Sequence, residues 1–170
     1  MQRLTSRLVL RPPTEDDLQL LFAIYGDPAT NTFNPAGPLT DIEQARALLI
    51  RWLKHWDEKG YGQWAIALRV EPQRVIGFGG IDARDYLLVE RLNLGYRFAL
   101  EAWGQGYATE LSQAALDFAF VELRVPRIYA VVRPAHLASV RVLEKIGMHR
   151  DGELDDVPGQ APSLVLRMEG

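Results

Sequence analysis

The sequence has 170 residues, 48% hydrophobic and 24% charged, the composition of one folded domain spanning residues 1–170 rather than of a disordered chain. Its 19 Lys and Arg against 22 Asp and Glu leave a formal charge of -3, so no polybasic field is present to hold a nucleic-acid backbone. There are no cysteines, which excludes disulfides, thiolate metal sites and a cysteine-bound acyl group.

No apolar run approaches the roughly 20 residues that span a bilayer, and Met1 to Arg11 lack the apolar core of a signal peptide. A cytoplasmic protein with no membrane partner is expected. His55, His136 and His149 are far apart in sequence and share no spacing that puts two of them on one helical face, so no metal site is expected.

Arg7 to Arg11 predicts a first strand, stopped by Pro12-Pro13, because proline cannot donate to a ladder. Thr14 and Asp17 form a capping box ahead of Leu18, Leu21, Phe22 and Tyr25, a first helix ending near Gly26. Asp27 to Leu39, with three prolines and a glycine, is a loop. A second capping box, Thr40 with Glu43, opens a helix carrying Ile42, Ala45, Leu48, Leu49, Trp52, Leu53 and Trp56, with Gly60 as its stop.

The period then changes. Gln63 to Arg69 and Val75 to Ile81 read as strands flanking a turn at Glu71-Pro72-Gln73; Asp82 to Glu90 is a connection and Arg91 to Phe98 another strand. After Gly104 and Gly106, Ala108, Leu111, Ala115, Phe118 and Ala119 make the stripe of a third helix. Arg127 to Val132 is a strand, Leu137 to Lys145 a short helix before Gly147, and His149 to Leu154 and Ser163 to Met168 are the last strands. This order predicts a mixed α/β sheet covered by helices. The tryptophans at 52, 56 and 64 fall at core spacings, which assigns them to packing rather than to a ligand.

The stretch from Asn93-Leu94-Gly95-Tyr96-Arg97-Phe98 to Trp103-Gly104-Gln105-Gly106-Tyr107-Ala108-Thr109-Glu110 is strand, glycine turn, helix. Unpaired N–H groups at a helix start favour anions, and small residues let a pyrophosphate approach the main chain. It has neither the G-x-x-x-x-G-K-[ST] of a nucleotide-triphosphate loop nor the third glycine of a dinucleotide fingerprint. Together with His136-Leu137-Ala138-Ser139-Val140-Arg141-Val142-Leu143-Glu144-Lys145-Ile146-Gly147-Met148, it resembles the GNAT N-acetyltransferases. Their acetyl-CoA loop follows [QR]-x-x-G-x-[GA], which this chain meets at Gly106 and Ala108 and departs from at Trp103. That departure resembles the branch of the ribosomal-protein alanine N-acetyltransferases.

The resemblance implies a V-split central sheet of about six to seven strands with about four helices. It also implies acetyl-CoA as cosubstrate, its pantetheine arm along the strand ending at Phe98 and its pyrophosphate on Gly104, Gln105, Gly106, Tyr107, Ala108 and Thr109. His136 stands where relatives often carry Asn, and Ser139 is the candidate catalytic hydroxyl as well as a cofactor contact. Where relatives often place a carboxylate base and a tyrosine acid, this chain has Asn93 and Leu143. A water relay is therefore expected to carry the rate, with Asp82, Glu101 and Glu110 as candidate relays that read first as solvated surface charges. The implied activity is direct transfer of acetyl to a primary amine, either a protein N-terminus or a small molecule, with no acyl-enzyme. A non-catalytic acyl-CoA-binding module is the alternative, and a homodimer is left open.

Overall fold

A computed structural model describes residues 2–170. Its strands are β1 (Arg3–Leu4), β2 (Leu8–Arg11), β3 (Gln63–Leu68), β4 (Glu71–Tyr86), β5 (Val89–Phe98), β6 (Arg127–Val132), β7 (His149–Leu154) and β8 (Ser163–Glu169). The α-helices are α1 (Leu18–Tyr25), α2 (Ile42–Lys59), α3 (Tyr107–Asp117) and α4 (Leu137–Lys145). One mixed sheet has the order β1-β2-β3-β4-β5-β6-β8-β7. This is the expected mixed α/β GNAT-type architecture, with eight strands instead of six or seven because Arg3–Leu4 adds an edge strand against Val9–Leu10.

Side-chain alternation along the strands divides the core between the two faces. On β3, Ala65 packs with Leu21, Leu49, Trp52 and Phe78 under α1 and α2. Trp64 and Ile66 pack with Leu94, Leu111, Ala115 and Leu143 under α3 and α4. Trp52 lies 5.4 Å from Phe78, Trp56 Nε1–H donates to Gln63 O at 2.8 Å, and Trp64 lies 5.6 Å from Phe118, so all three tryptophans serve packing as expected.

The capping box at Thr14 forms, with the Thr14 N–H donating to Asp17 Oδ2 at 2.7 Å. The start of α2 differs from the expectation: Asp41, not Thr40, is the N-cap and accepts from Gln44 N at 2.9 Å, while the Thr40 N–H reaches Gln44 Oε1. The role needs a short acceptor in extended backbone, and Asp41 supplies it one residue later. Gly60 closes α2 at φ 77, as a left-handed C-cap requires.

The predicted turn at Glu71-Pro72-Gln73 lies instead inside the start of β4, whose register against β3 shifts between Ile66 and Leu68. Such a bulge tolerates a proline because it demands no ladder donor there. Asp82 to Glu90 is likewise no loose connection. β4 and β5 stay paired from Gly77↔Phe98 through Asp82↔Asn93 to Tyr86↔Val89, turning at Leu87 with φ 59. Nothing in a Leu-Leu turn announces a hairpin, since left-handed turns normally use Gly, Asn or Asp.

The only parallel pairing recorded among the described residues is β5 with β6, and its register consists of the single pair Asn93↔Tyr129. Beyond it the strands part, leaving Leu94–Phe98 without β6 on one side. That divergence is the expected V-split, and it opens the site.

Candidate active site

A cleft of about 960 Å³ runs through the split. It is floored by β5 from Asn93 to Phe98 and walled by the start of α3, the start of α4 and the loop between α1 and α2.

At one end, Gly104 and Gly106 have φ 76 and 82, conformations that favour glycine. Gly106 is the N-cap of α3 and offers no side chain to the first N–H groups of that helix. Tyr107, Ala108 and Thr109 line the cleft beside it, so uncapped donors face a cavity, as an anion-binding helix start requires. Gln105 is the exception among the expected contacts: it does not line the cleft, and its carbonyl accepts from Arg7 Nη1 at 2.8 Å. Arg7 also pairs with Glu110 at 2.8 Å and stacks over Tyr107, fastening the loop to the start of β2. Trp103 Nε1–H donates to Phe98 O at 3.0 Å, so the residue that departs from the motif ties the loop to the end of β5.

In the middle, the Ala99 N–H donates to Ile76 O on β4 at 2.8 Å. The alternation of a strand then turns the main-chain N–H of Phe98 the other way, towards the split. Ser139 Oγ lies 3.0 Å from the Tyr96 hydroxyl, both on the cleft wall. Burial pushes the Tyr96 phenol up and the Ser139 hydrogen bond opposes it. His136 caps no helix N–H; its ring stacks on Phe33 of the α1–α2 loop at 4.5 Å and 18°. Burial and the Arg97 charge lower its pKa, so it is a neutral donor and acceptor at pH 7. Leu143 is core, 3% exposed.

At the other end the three carboxylates named from the sequence separate. Glu101 is a solvated charge paired with Arg74. Glu110 is fixed: burial raises its pKa, but the Thr5 hydroxyl and the Arg7 N–H and guanidinium outweigh this and hold it below the usual range. Asp82 overturns the solvated reading, since it lines the cleft and its pKa is raised by burial. Gln63, His55, Arg84 and Asn93 pull it back only in part. Antiparallel pairing sets Asp82 directly opposite Asn93. The Tyr86 hydroxyl donates to Asn93 Oδ1 at 2.6 Å, which leaves the Asn93 amide hydrogens for the cleft side. His55 Nε2 accepts from Ala83 N at 3.1 Å, which leaves Nδ1–H to donate to Tyr61 O at 2.8 Å and holds α2 against this strand.

Sequence reasoning missed Tyr96, Arg97, Tyr25 and Asn31, all of which line or brace the cleft. The alternation of Asn93, Gly95 and Arg97 was readable, but the rung joining Asp82 to Asn93 depends on a register that no local signal fixes. Trp52, assigned to packing, also shows an edge to the cleft.

The family model of the Acetyltransferase (GNAT) domain matches residues 7–149. The chain belongs to the GNAT acetyltransferase family. GNAT enzymes use acetyl-CoA, and this chain is an acetyltransferase. It is 30% identical over 152 residues to the uncharacterized N-acetyltransferase p20 of Bacillus licheniformis, covering 89% of this chain and 84% of that one. The acetyltransferase from Agrobacterium tumefaciens str. C58 is 28% identical with a TM-score of 0.83, covering 100% of this chain and 95% of that one. The spermidine N-acetyltransferase of Vibrio cholerae, solved in complex with CoA and spermine, shares the fold at 20% identity and a TM-score of 0.78, covering 97% and 96%.

Proposed function

We propose that this GNAT enzyme transfers the acetyl group of acetyl-CoA directly to a primary amine, in the manner of N-acetyltransferases that act on protein N-termini or small amines. The observation that carries the reading is the continuity of the cleft, from the uncapped start of α3, along the unpaired edge of β5, to the half-buried carboxyl of Asp82. Phe98, Gly104, Gly106, Tyr107, Ala108, Thr109, His136 and Ser139 would hold acetyl-CoA, which supplies an activated acyl group. Gln105 would contribute only through the backbone shape that Arg7 fixes.

The chain's own residues then account for the protons. An ammonium must lose one before its nitrogen can attack, and Asp82, directly or through a water, takes it. The second nitrogen proton leaves as the amide forms, while the departing sulfur needs one. The Tyr96 and Ser139 hydroxyls, 3.0 Å apart on the cleft wall, would relay that proton to the sulfur. The Phe98 N–H is the main-chain donor for the oxygen that gains charge. Leu143 supplies no acid, and Asn93 positions where relatives have a base.

The test is steady-state release of CoA with a broad amine panel. Release that requires both an amine and an intact Asp82 supports the reading. Binding of acetyl-CoA with no turnover on any amine would favour the acyl-CoA-binding module instead.

A further inference from the structure

On the cleft face of the β4–β5 ladder, successive rungs are Phe78↔Arg97, Gly80↔Gly95 and Asp82↔Asn93. The middle rung carries no side chains. A Cβ built on Gly95 would meet only Asn93 Nδ2, at 3.3 Å, whereas one built on Gly80 would strike Gly62 O at 2.6 Å, so the hollow lies over Gly95 alone. One end of the hollow is the carboxyl of Asp82 with the amide of Asn93. The other is the guanidinium of Arg97, half-buried, held by Asn31 Oδ1 and lying 4.6 Å over the Tyr25 ring. Among the described residues no Asp or Glu forms an ion pair with Arg97. A rise of about 3.4 Å per residue puts the Asn93 and Arg97 Cα atoms about 14 Å apart, and the long arginine side chain shortens the gap to be spanned.

We infer that the acceptor is an amine that also carries a carboxylate, its ammonium directed at Asp82 and its carboxylate at Arg97 across the hollow over Gly95. This rests on the amine-acetyltransferase reading and narrows its substrate class. A polyamine would set a second cation against Arg97, in a site where a buried charge interacts strongly. A carboxylate would instead gain a charge-assisted pair with a planar donor already held in place by Asn31 and Tyr25. Two sources share this chemistry: a free amino acid, and a peptide N-terminus with Asp or Glu close behind it.

The experiment measures kcat/KM by CoA release for matched acceptors: L-phenylalanine, L-phenylalaninamide and phenethylamine; short N-terminal peptides with Glu or Gln at the second position; and spermidine. The wild type should prefer the carboxylate in at least one matched pair by about tenfold or more, the worth of a charged hydrogen bond. The pair that shows it identifies the source. In Arg97→Gln that ratio should fall towards one, and Arg97→Lys should retain part of it. A ratio unchanged in a folded Arg97→Gln, even with lower rates overall, would reduce Arg97 to a brace for the loop and overturn the inference. Preference for spermidine, or equal rates across each pair, would overturn it while leaving amine acetylation standing. Release of CoA with none of these acceptors would contradict both.

Discussion

The carboxyl of Asp82 lines the cleft on the rung it shares with Asn93. As a letter in a polar stretch this residue reads as a solvated charge; in the ladder it is the half-buried partner of Asn93, on the wall of the cleft. Asp82→Asn should lower kcat by about 10²–10⁴-fold, the range of a general base, with acetyl-CoA affinity unchanged. The same substitution should raise the melting temperature at neutral pH. Because burial raises the folded pKa, the protonated carboxyl favours folding below about pH 4, the ordinary Asp value. That contribution is lost as pH rises through the folded value. The gain from Asn should therefore shrink towards pH 4, and a melting curve unaffected at either pH would contradict the burial argument. For the hydroxyl pair, Tyr96→Phe and Ser139→Ala should each cost about tenfold in kcat, with the double mutant far less than additive, since groups acting as a unit do not add. Losses that multiply independently would separate their roles.

Among the elements, the loop from Gly104 to Gly106 and the start of α3 were the parts most legible in the sequence, because glycine spacing at a strand-to-helix junction has a direct backbone cause. Their support was not legible. Arg7 and Glu110 are 103 residues apart in sequence, and nothing local pairs them. Gly106→Val should weaken acetyl-CoA binding by about tenfold or more, since φ 82 is strained for a branched residue by about 1–3 kcal/mol and uncapped donors would shift. Calorimetry of the folded variant checks this. Glu110→Gln should reduce acetyl-CoA affinity and thermal stability while leaving kcat within about threefold, because it releases an anchor and not a reacting group. A large loss of kcat alone would restore Glu110 as a relay. The long β4–β5 arm was missed because a Leu-Leu turn carries no hairpin signal, and the edge strand Arg3–Leu4 because two residues are too few to show a period.

Across the whole molecule the order of strands and helices was readable from period and caps, whereas the expectation of a split sheet came from the family resemblance and not from any local signal. The function is less local. It depends on the single β5–β6 pair at Asn93↔Tyr129, after which diverging strands leave one cleft reaching from the α3 start to Asp82. No helix among the described residues is long and apolar enough to cross a membrane. Binding along the cleft should make acetyl-CoA, unlike ATP or NAD, raise the melting temperature, since a ligand of the folded state stabilises it by mass action. The most direct test of the account follows acetyl-CoA-dependent acetylation of an amine panel by mass spectrometry together with CoA release, for the wild type and Asp82→Asn. Acetylated amine and free CoA should appear in equal amounts from the wild type, with a loss of at least about a hundredfold in the variant at saturating acetyl-CoA. Acetyl-CoA that stabilises the fold while no amine is acetylated, or an Asp82→Asn enzyme as fast as the wild type, would contradict it.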